Sequence, residues 1–300
     1  MRVVSVLPSA TEIVCALGHR SELVGRSSEC DYPEDVGALP IVMQPRTLDS
    51  ERPSKEIDER VRRARSRRES LYTLDVERLA RLSPDLLLTQ DLCGVCSVTE
   101  EEVAVACAEA AIRPRIVSLA PTNLAEVWAS VETVGEAVHD AETGRALSES
   151  LRSRTRPVGP RERTVAVVEW LDPPILAGLW TPDLVTVAGG EPVGPRSGQP
   201  GRRTTWKELA RWRPDLLVLS PCSFSVARSR RELEDARLRE DVLSVRPALG
   251  TFVVDEAYFS RPGPRLADGV ELIRALLHGG VPRGPMPAEM LGPDPAPVSA

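Results

Sequence analysis

Short apolar runs alternate along most of the chain with longer segments that have the period of an amphipathic helix. Each run is about as long as one buried strand. The runs lie at residues 3–7, 23–25, 40–42, 86–89 and 116–119, and again at 164–168, 175–177, 184–187, 216–219 and 252–254. Because helical segments separate the runs, the pattern predicts parallel sheets with helices on both faces.

One segment of this pattern occurs twice. Residues 79–88 match residues 209–218 at an offset of 130, and seven of the ten positions are identical. Each copy predicts the end of a helix, a Pro-Asp turn and a short strand that is buried on both faces. The repeat therefore indicates two similar α/β lobes within one chain.

The segment 123–154 separates the two sets of runs and contains no proline. Its apolar residues are spaced by three and four positions, which predicts one helix of about 30 residues and about 45 Å. The predicted fold class is α/β, with two doubly wound, Rossmann-like lobes joined by one long helix and a ligand cleft between the lobes. The predicted boundaries are a lobe at 1–121, the linking helix at 122–156, a second lobe at 157–282 and a disordered, proline-rich tail at 283–300.

Charge and composition exclude several classes of protein. Lys and Arg number 38 and Asp and Glu number 44, so the net charge of −6 argues against a general nucleic-acid binder. No apolar run approaches the roughly 18 residues of a membrane span. The run at 3–7 is too short for the apolar core of a signal peptide. We therefore expect a cytoplasmic protein whose six cysteines are reduced.

In open parallel sheets, ligands bind beyond the carboxyl ends of the strands. In this chain those ends are followed by loops with distinctive polar, aromatic and cysteine residues. The loops span residues 7–11, 28–33, 90–96, 169–174, 220–224 and 255–259. If the two lobes face each other, all six loops line one cleft.

Four cysteines lie in these loops. Cys93 and Cys96 form a C-x-x-C motif, and Cys30 and Cys222 follow other predicted strands. Four converging thiols would suit zinc or iron. The alternative is that Cys30 and Cys222 are small buried residues and that the C-x-x-C motif is a local turn.

Two carboxylates and two tryptophans in or near the same loops also have two interpretations. Glu29 and Glu169 follow strands and could serve as a general base, or they could bind loop amides. Trp170 and Trp180 could form an apolar wall for a macrocycle, or they could pack inside the second lobe.

The opening residues 2–12 (RVVSVLPSATE), followed by Ala16-Leu17-Gly18, resemble the periplasmic substrate-binding proteins for cobalamin, haem and ferric siderophores. The repeated strands and the single linking helix resemble the same helical-backbone class, class III. Residues 29–33 (ECDYP) and 89–93 (TQDLC) are most similar to the cobalamin-binding branch. The resemblance extends to about residue 280.

The resemblance implies a ligand-binding protein that holds a cobalamin-like corrinoid or another metal chelate between its lobes, with a transporter-related partner. The short apolar run at 3–7 departs from the exported family, so we expect a cytoplasmic form of such a protein. None of the three histidines lies in a strand-end loop, so a histidine axial ligand is not expected. The alternative is a repurposed enzyme with zinc or iron on the loop cysteines. The ligand-binding candidates from the resemblance and from the loops are Pro8, Ser9, Tyr32, Gln90, Asp91, Trp170, Trp180, Phe224, Asp255 and Tyr258.

Overall fold

The computed structural model describes residues 1–46, 51–67, 69–91, 98–159, 162–280 and 288–291 of the 300-residue chain. The chain divides into two compact units, each built around one sheet. Unit 1 contains Met1–Asp49, Glu59–Pro121 and Ala125–Arg152, and unit 2 contains Ser50–Asp58, Thr122–Leu124 and Ser153–Ala300. Two α/β units confirm the predicted fold class.

The sheet of unit 1 has six strands in the order β4-β3-β2-β1-β5-β6. Its strands are β1 (Val3–Ser5), β2 (Leu23–Ser27), β3 (Ile41–Pro45), β4 (Tyr72–Leu74), β5 (Leu86–Gln90) and β6 (Arg115–Leu119). Neighbouring strands are parallel except β4, which pairs antiparallel with β3. The five predicted strands are therefore confirmed, and the short edge strand β4 is an addition.

The helices of the first half of the chain are α1 (Pro8–Ala16), α2 (Ser54–Arg67), α3 (Val76–Leu82), α4 (Glu100–Glu109), α5 (Leu124–Ala137) and α6 (Ala141–Arg154). The helix α2 begins in unit 2 and continues in unit 1. Apolar side chains of α3 and α4 pack on the sheet, with Leu79 and Val103 fully buried. The core of unit 1 lies between these helices and the central strands.

The prediction of a single linking helix is wrong, because the segment forms two helices of 14 residues each, α5 and α6. The chain turns at His139, which has a left-handed backbone with φ of 63°. The N–H of Asp140 donates to the carbonyl of Gly135, and its carboxylate accepts the N–H of Thr143, so one residue closes α5 and caps α6. Gly135 and Gly144 let the two helices touch, since a Cβ on Gly135 would lie 2.8 Å from the Cα of Gly144.

Unit 2 contains a mixed sheet. Its strands are β7 (Arg163–Leu171), β8 (Pro174–Leu176), β9 (Gly190–Pro192), β10 (Arg202–Arg203), β11 (Leu216–Leu219), β12 (Thr251–Val254) and β13 (Ala288–Leu291). The main order is β10-β8-β7-β11-β12-β13, and β9 pairs with β7. The central trio β7, β11 and β12 is parallel, as predicted, whereas β8, β10 and β13 pair antiparallel with their neighbours.

The helices of unit 2 are α7 (Thr181–Val187), α8 (Trp206–Trp212), α9 (Val226–Glu232), α10 (Ala236–Leu243) and α11 (Leu266–Leu277). The strand predicted at 184–187 is wrong, because these residues belong to α7. A proline in the first turn of α7, Pro182, is pre-set for a helix start, and this start outweighs the β-branched residues that follow.

The prediction of a disordered tail at 283–300 is wrong for residues 288–291. These residues form β13, which pairs with β12 and brings the partly buried Leu291 onto the core of unit 2. Pairing satisfies the backbone groups along the outer edge of β12, which gives this short segment a reason to be ordered. The other residues of the tail lie outside the described residues.

The repeated segment forms the same structure in both units. The first copy gives the end of α3 and the strand β5, and the second gives the end of α8 and the strand β11. Each helix ends at a residue in the left-handed region, Ser83 (φ 39°) in one copy and Arg213 (φ 50°) in the other. A proline and an aspartate then lead into the buried strand, as the sequence predicts.

Candidate functional site

The start of α1 lies at the carboxyl end of β1, the central strand of unit 1. Leu7 precedes the helix without a capping side chain, and Pro8 is its first residue. The hydroxyl of Ser9 is buried and has no hydrogen-bond partner among the described residues. The first turn of a helix also has N–H groups without acceptors inside the helix. This position can therefore bind an acceptor group of a ligand.

The loop after β2 lies beside this position. Arg26 is buried and donates hydrogen bonds to the carbonyls of Ser27, Cys30 and Gly37 at 2.8 to 3.1 Å, which fixes the path of the loop. Tyr32 lies in the loop and is 50% exposed, so its ring is accessible to a ligand.

The loop after β5 is described only in its first residues. Gln90 ends β5 and is buried, and Asp91 is exposed. Because β5 is next to β1 in the sheet, Gln90 and Ser9 share the carboxyl edge of unit 1. Residues 92–97, with Cys93 and Cys96, lie outside the described residues, so the C-x-x-C prediction stays a prediction.

In unit 2, the end of β7 and the loop after β11 bring two predicted residues together. The rings of Trp170 and Phe224 lie 5.4 Å apart at an angle of 50°, a tilted aromatic contact. Arg228 lies on α9, and its guanidinium is 4.2 Å from the centre of the Phe224 ring. Phe224 is buried, while Trp170 is partly exposed. Trp170 is therefore the member of the pair that can contact a ligand.

Trp180 occupies a packing position. It is 5% exposed, and its indole N–H donates to the carbonyl of Phe259 at 2.7 Å. This bond holds the turn that follows β12, where the carboxylate of Asp255 accepts the N–H of Ala257. Tyr258 in the same turn is also buried, with Arg265 over its ring. In unit 2, Trp180 and Tyr258 thus stabilise the turn that presents Asp255.

The two carboxylates suggested as a general base lie in separate units. Glu29 is partly buried in the loop after β2, and its N–H donates to the hydroxyl of Ser27. Glu169 lies near the end of β7 against the backbone of Gly201, where a Cβ would stand 2.0 Å from the Glu169 carboxylate. A side chain at residue 201 would displace the end of the Glu169 side chain. Neither carboxylate lies in a described group of three metal-ligating residues.

Of the described cysteines, Cys30 and Cys107 are buried, and Cys15 and Cys222 are partly buried. Cys30 is 1% exposed and accepts a hydrogen bond from the hydroxyl of Thr11 on α1 at 3.1 Å. Cys222 lies 3.4 Å from the hydroxyl of Ser260. Burial raises the pKa of Cys15 to about 11 and also raises the pKa of Cys107, so both are poor thiolates. The described residues contain no cluster of three or more metal-ligating side chains.

Two buried ion pairs were not predicted from the sequence. Arg261 and Glu256, in the turn after β12, lie 2.7 Å apart with side chains 12% and 9% exposed. Arg228 and Glu232 pair at 2.9 Å across one turn of α9. Their spacing of four residues on a helix is a signal that a charge-pattern search could have found.

A membrane-spanning helix needs about 20 apolar residues, and the helices of the described ranges do not provide one. The strand-end loops belong to two separate compact units. The cleft predicted between the lobes therefore stays a prediction.

No family model and no curated protein matches the sequence. Several solved structures match the fold over nearly the whole chain. A periplasmic heme-binding protein from Pseudomonas aeruginosa is 18% identical and has a TM-score of 0.69, with 100% of this chain and 99% of that chain covered. The periplasmic vitamin B12 binding protein BtuF of Vibrio cholerae is 19% identical, with a TM-score of 0.59 and coverage of 92% and 96%.

The periplasmic heme-binding protein HutB of Vibrio cholerae is 16% identical and has a TM-score of 0.64, with 93% of this chain and 99% of that chain covered. Identities this low carry information about the fold alone. They agree with the resemblance seen in the opening residues and in the repeated strands. The chain therefore has the fold of the class III substrate-binding proteins for haem, vitamin B12 and related metal chelates.

Proposed function

We propose that this protein binds a cobalamin-like metal chelate through the strand-end loops of its two units. The observation that carries the proposal is the buried Ser9 hydroxyl, which has no partner among the described residues and lies at the start of α1. A buried polar group without a partner is destabilising. A bound molecule with a polar edge can supply the missing hydrogen bond.

Aromatic side chains support a ligand with a large apolar face. Tyr32, in the loop after β2, is half-exposed, and Trp170, at the end of β7, is partly exposed, so both candidate rings are accessible. Flat macrocycles are bound by burial against such rings, with a few polar groups that fix their edges. The similar solved structures include proteins described as binding heme or vitamin B12, which supports a ligand of that chemical class.

A corrinoid is favoured over haem by the positions of the histidines. His19 contacts Glu22 at 2.9 Å and Asp140 at 3.2 Å, so both of its ring nitrogens are engaged. His139 lies in the turn between α5 and α6, and His278 follows α11. None of the three belongs to a strand-end loop. A haem site would need a different axial ligand, whereas cobalamin carries its own lower axial base.

The proposal includes the cytoplasmic location and the transporter-related partner predicted from the sequence. The similar solved structures named above are of periplasmic proteins, so location is the point at which this protein would differ. Fractionation of source cells with an antibody to the protein tests location independently of binding. Recovery in the osmotic-shock fraction would overturn this part of the proposal.

The central test is a titration of the purified protein with hydroxocobalamin, in which heat is measured by calorimetry and spectral change by absorbance. Haemin is titrated in parallel. The expected result is one-to-one binding of hydroxocobalamin with a Kd of about 1 µM or lower, which corresponds to about −8 kcal/mol. Haemin is expected to bind more weakly. Absence of heat and of spectral change with hydroxocobalamin would contradict the proposal.

The variant Ser9→Ala separates binding from folding. We expect affinity for hydroxocobalamin to fall about threefold to tenfold, because one hydrogen bond contributes about 0.5–1.5 kcal/mol. The free protein should be as stable as the parent or more stable, since the variant removes an unsatisfied buried group. Ser66→Ala is the matched control, because Ser66 is exposed on α2. Equal affinity of the Ser9→Ala variant and the parent would remove the support from Ser9.

A further inference from the structure

A buried carboxylate near the end of α9 holds a segment that comes from far away in the sequence. The side chain of Glu232 is 8% exposed. One of its oxygens accepts two hydrogen bonds from Ser54, from the backbone N–H at 2.7 Å and from the hydroxyl at 2.6 Å. Its other oxygen accepts a bond from Arg228 at 2.9 Å. Glu232 therefore joins α9 to the first turn of α2.

Arg228 completes the arrangement and balances the charge of Glu232. Its side chain is also 8% exposed, and it donates a second hydrogen bond to the carbonyl of Arg52. Its guanidinium plane lies over Phe224. A buried ion pair is tolerated only when its remaining donors and acceptors are satisfied. Here the backbone and hydroxyl of residues 52–54 supply the missing partners.

The segment held in this way, residues 51–58, is called the docked segment. It groups with unit 2, although the chain before it and after it groups with unit 1. Two further ion pairs attach it, Glu51 with Arg231 at 2.7 Å and Asp58 with Arg203. Asp58 is 6% exposed, so this contact is also partly shielded from water. The docked segment is thus fixed at both of its ends and at its centre.

The docked segment contacts the proposed ligand site through Ser54. The carbonyl of Ser54 accepts the indole N–H of Trp170 at 3.2 Å. Trp170 also packs on the ring of Phe224, and the guanidinium of Arg228 contacts the same ring. Glu232, Ser54 and Trp170 therefore form a chain of contacts that returns to α9 through Phe224 and Arg228.

We propose that Glu232 is a positioning residue, which fixes the ring of Trp170 for ligand binding by holding Ser54. This inference rests on the proposed function, because the role of Trp170 in the site belongs to that proposal. The electrostatic reason is specific. An amide in place of the carboxylate would present an N–H₂ group either to the backbone N–H of Ser54 or to Arg228, and both of these groups can only donate. One of the two contacts would then be lost.

The test compares Glu232→Gln with Glu234→Gln, an exposed glutamate two residues later that serves as the matched control. Hydrogen exchange measured by mass spectrometry is expected to be about tenfold faster over residues 54–58 in Glu232→Gln and unchanged in Glu234→Gln. The indole NMR signal of Trp170, identified by its absence in Trp170→Leu, is expected to shift in Glu232→Gln alone. Unchanged exchange and an unchanged indole signal would overturn the inference.

Affinity for hydroxocobalamin provides a test of coupling. Glu232→Gln is expected to weaken binding about tenfold in the parent and less than twofold in the Trp170→Leu background, because residues that act through one another are not additive. An equal loss in both backgrounds would show that Glu232 acts by another route. Trp212→Leu, which removes a half-exposed tryptophan on α8, serves as the background control.

Two outcomes separate this inference from the proposed function. If neither the parent nor the variants bind hydroxocobalamin, the proposed function fails, and the exchange and indole measurements still decide whether Glu232 positions Trp170. If Glu232→Gln does not fold, Ser54→Ala removes one of the two bonds to Glu232 and is expected to give the same shifts at about one third of the size. No change in Ser54→Ala would then overturn the inference.

Discussion

The two copies of the repeated segment have the same backbone but are attached differently to the neighbouring strand. In unit 1, Asp85 is exposed, and its carboxylate accepts the N–H of Arg2, just before β1. In unit 2, Asp215 is partly buried and accepts both the N–H and the hydroxyl of Thr164 in β7, at 2.7 and 2.9 Å. The N–H of Asp215 donates back to the same hydroxyl at 3.0 Å.

Some features of each copy depend only on the repeated residues, and others depend on the strand beside them. The helix end, the left-handed residue and the Pro-Asp turn follow from the repeated residues themselves. The strength of the attachment follows from the partner, Arg2 or Thr164, which lies outside the repeat. Two copies of one motif can therefore contribute differently to stability.

Removal of the aspartates should have the largest effect on this comparison. Asp215→Ala leaves the N–H and hydroxyl of Thr164 without their acceptor in a partly buried place, so the free energy of unfolding should fall by about 1–3 kcal/mol. Asp85→Ala should cost about 0.5–1 kcal/mol, because water can replace an exposed acceptor. Urea denaturation of both variants measures the two values. A larger loss for Asp85→Ala would reverse our interpretation.

Glycine at the left-handed positions should have equal effects in the two units. Ser83 and Arg213 are both exposed, and a non-glycine residue in this region is strained by about 1–2 kcal/mol. Ser83→Gly and Arg213→Gly should each stabilise the protein, by about 0.5–1 kcal/mol after the greater freedom of glycine in the unfolded chain is subtracted. Thermal unfolding measures the change, with Ser83→Ala and Arg213→Ala as controls. A gain in one unit and a loss in the other would mean that the repeats differ locally after all.

The smallest expected effect is a change with pH in the stability that His19 contributes to unit 1. The pKa of His19 is raised by its hydrogen bond to Glu22, with a further contribution from Asp140. A raised pKa means that the folded state favours the protonated ring. The stabilisation is therefore fully present below about pH 6.5, the ordinary value, and is lost as pH rises through the raised pKa.

The corresponding variant is His19→Gln, compared with the parent at pH 5.5 and pH 8.5. The free energy of unfolding of the parent should fall by up to about 1 kcal/mol more than that of the variant over this range, the upper value for a partly exposed pair. Both proteins keep the amino group of Met1 that pairs with Glu22 at 3.6 Å, so the difference between them isolates His19. A steeper fall in the variant would contradict the assigned direction.

Much of the fold follows from short-range signals. The apolar runs predict β1, β5, β11 and other buried strands because burial on both faces requires continuous apolar residues. The turn at His139 escaped prediction, since glycine usually occupies this left-handed position and the apolar spacing continues on both sides. The strand β4 is only three residues long and lies at an edge, where the period of two is too short to be recognised.

The candidate site is predicted less completely, for a physical reason. Residues at strand ends can be found because strand direction places them at one edge of a sheet, which holds for Ser9 and Trp170. Whether a side chain there is exposed depends on contacts with distant residues. Trp180 is buried and donates a hydrogen bond to the carbonyl of Phe259. Glu232 accepts a hydrogen bond from Ser54, 178 residues earlier. Sequence spacing does not encode such partners.

The strand β13 has a consequence for the behaviour of the protein in concentrated solution. It lies at the outer edge of the sheet of unit 2, beside the fully buried β12, and its Glu289 pairs with Arg230 of α9. An uncovered β12 would present a row of open backbone donors and acceptors on an apolar sequence, which is a template for association between copies. By pairing with that edge, residues 288–291 cover this template with a short strand that carries Glu289.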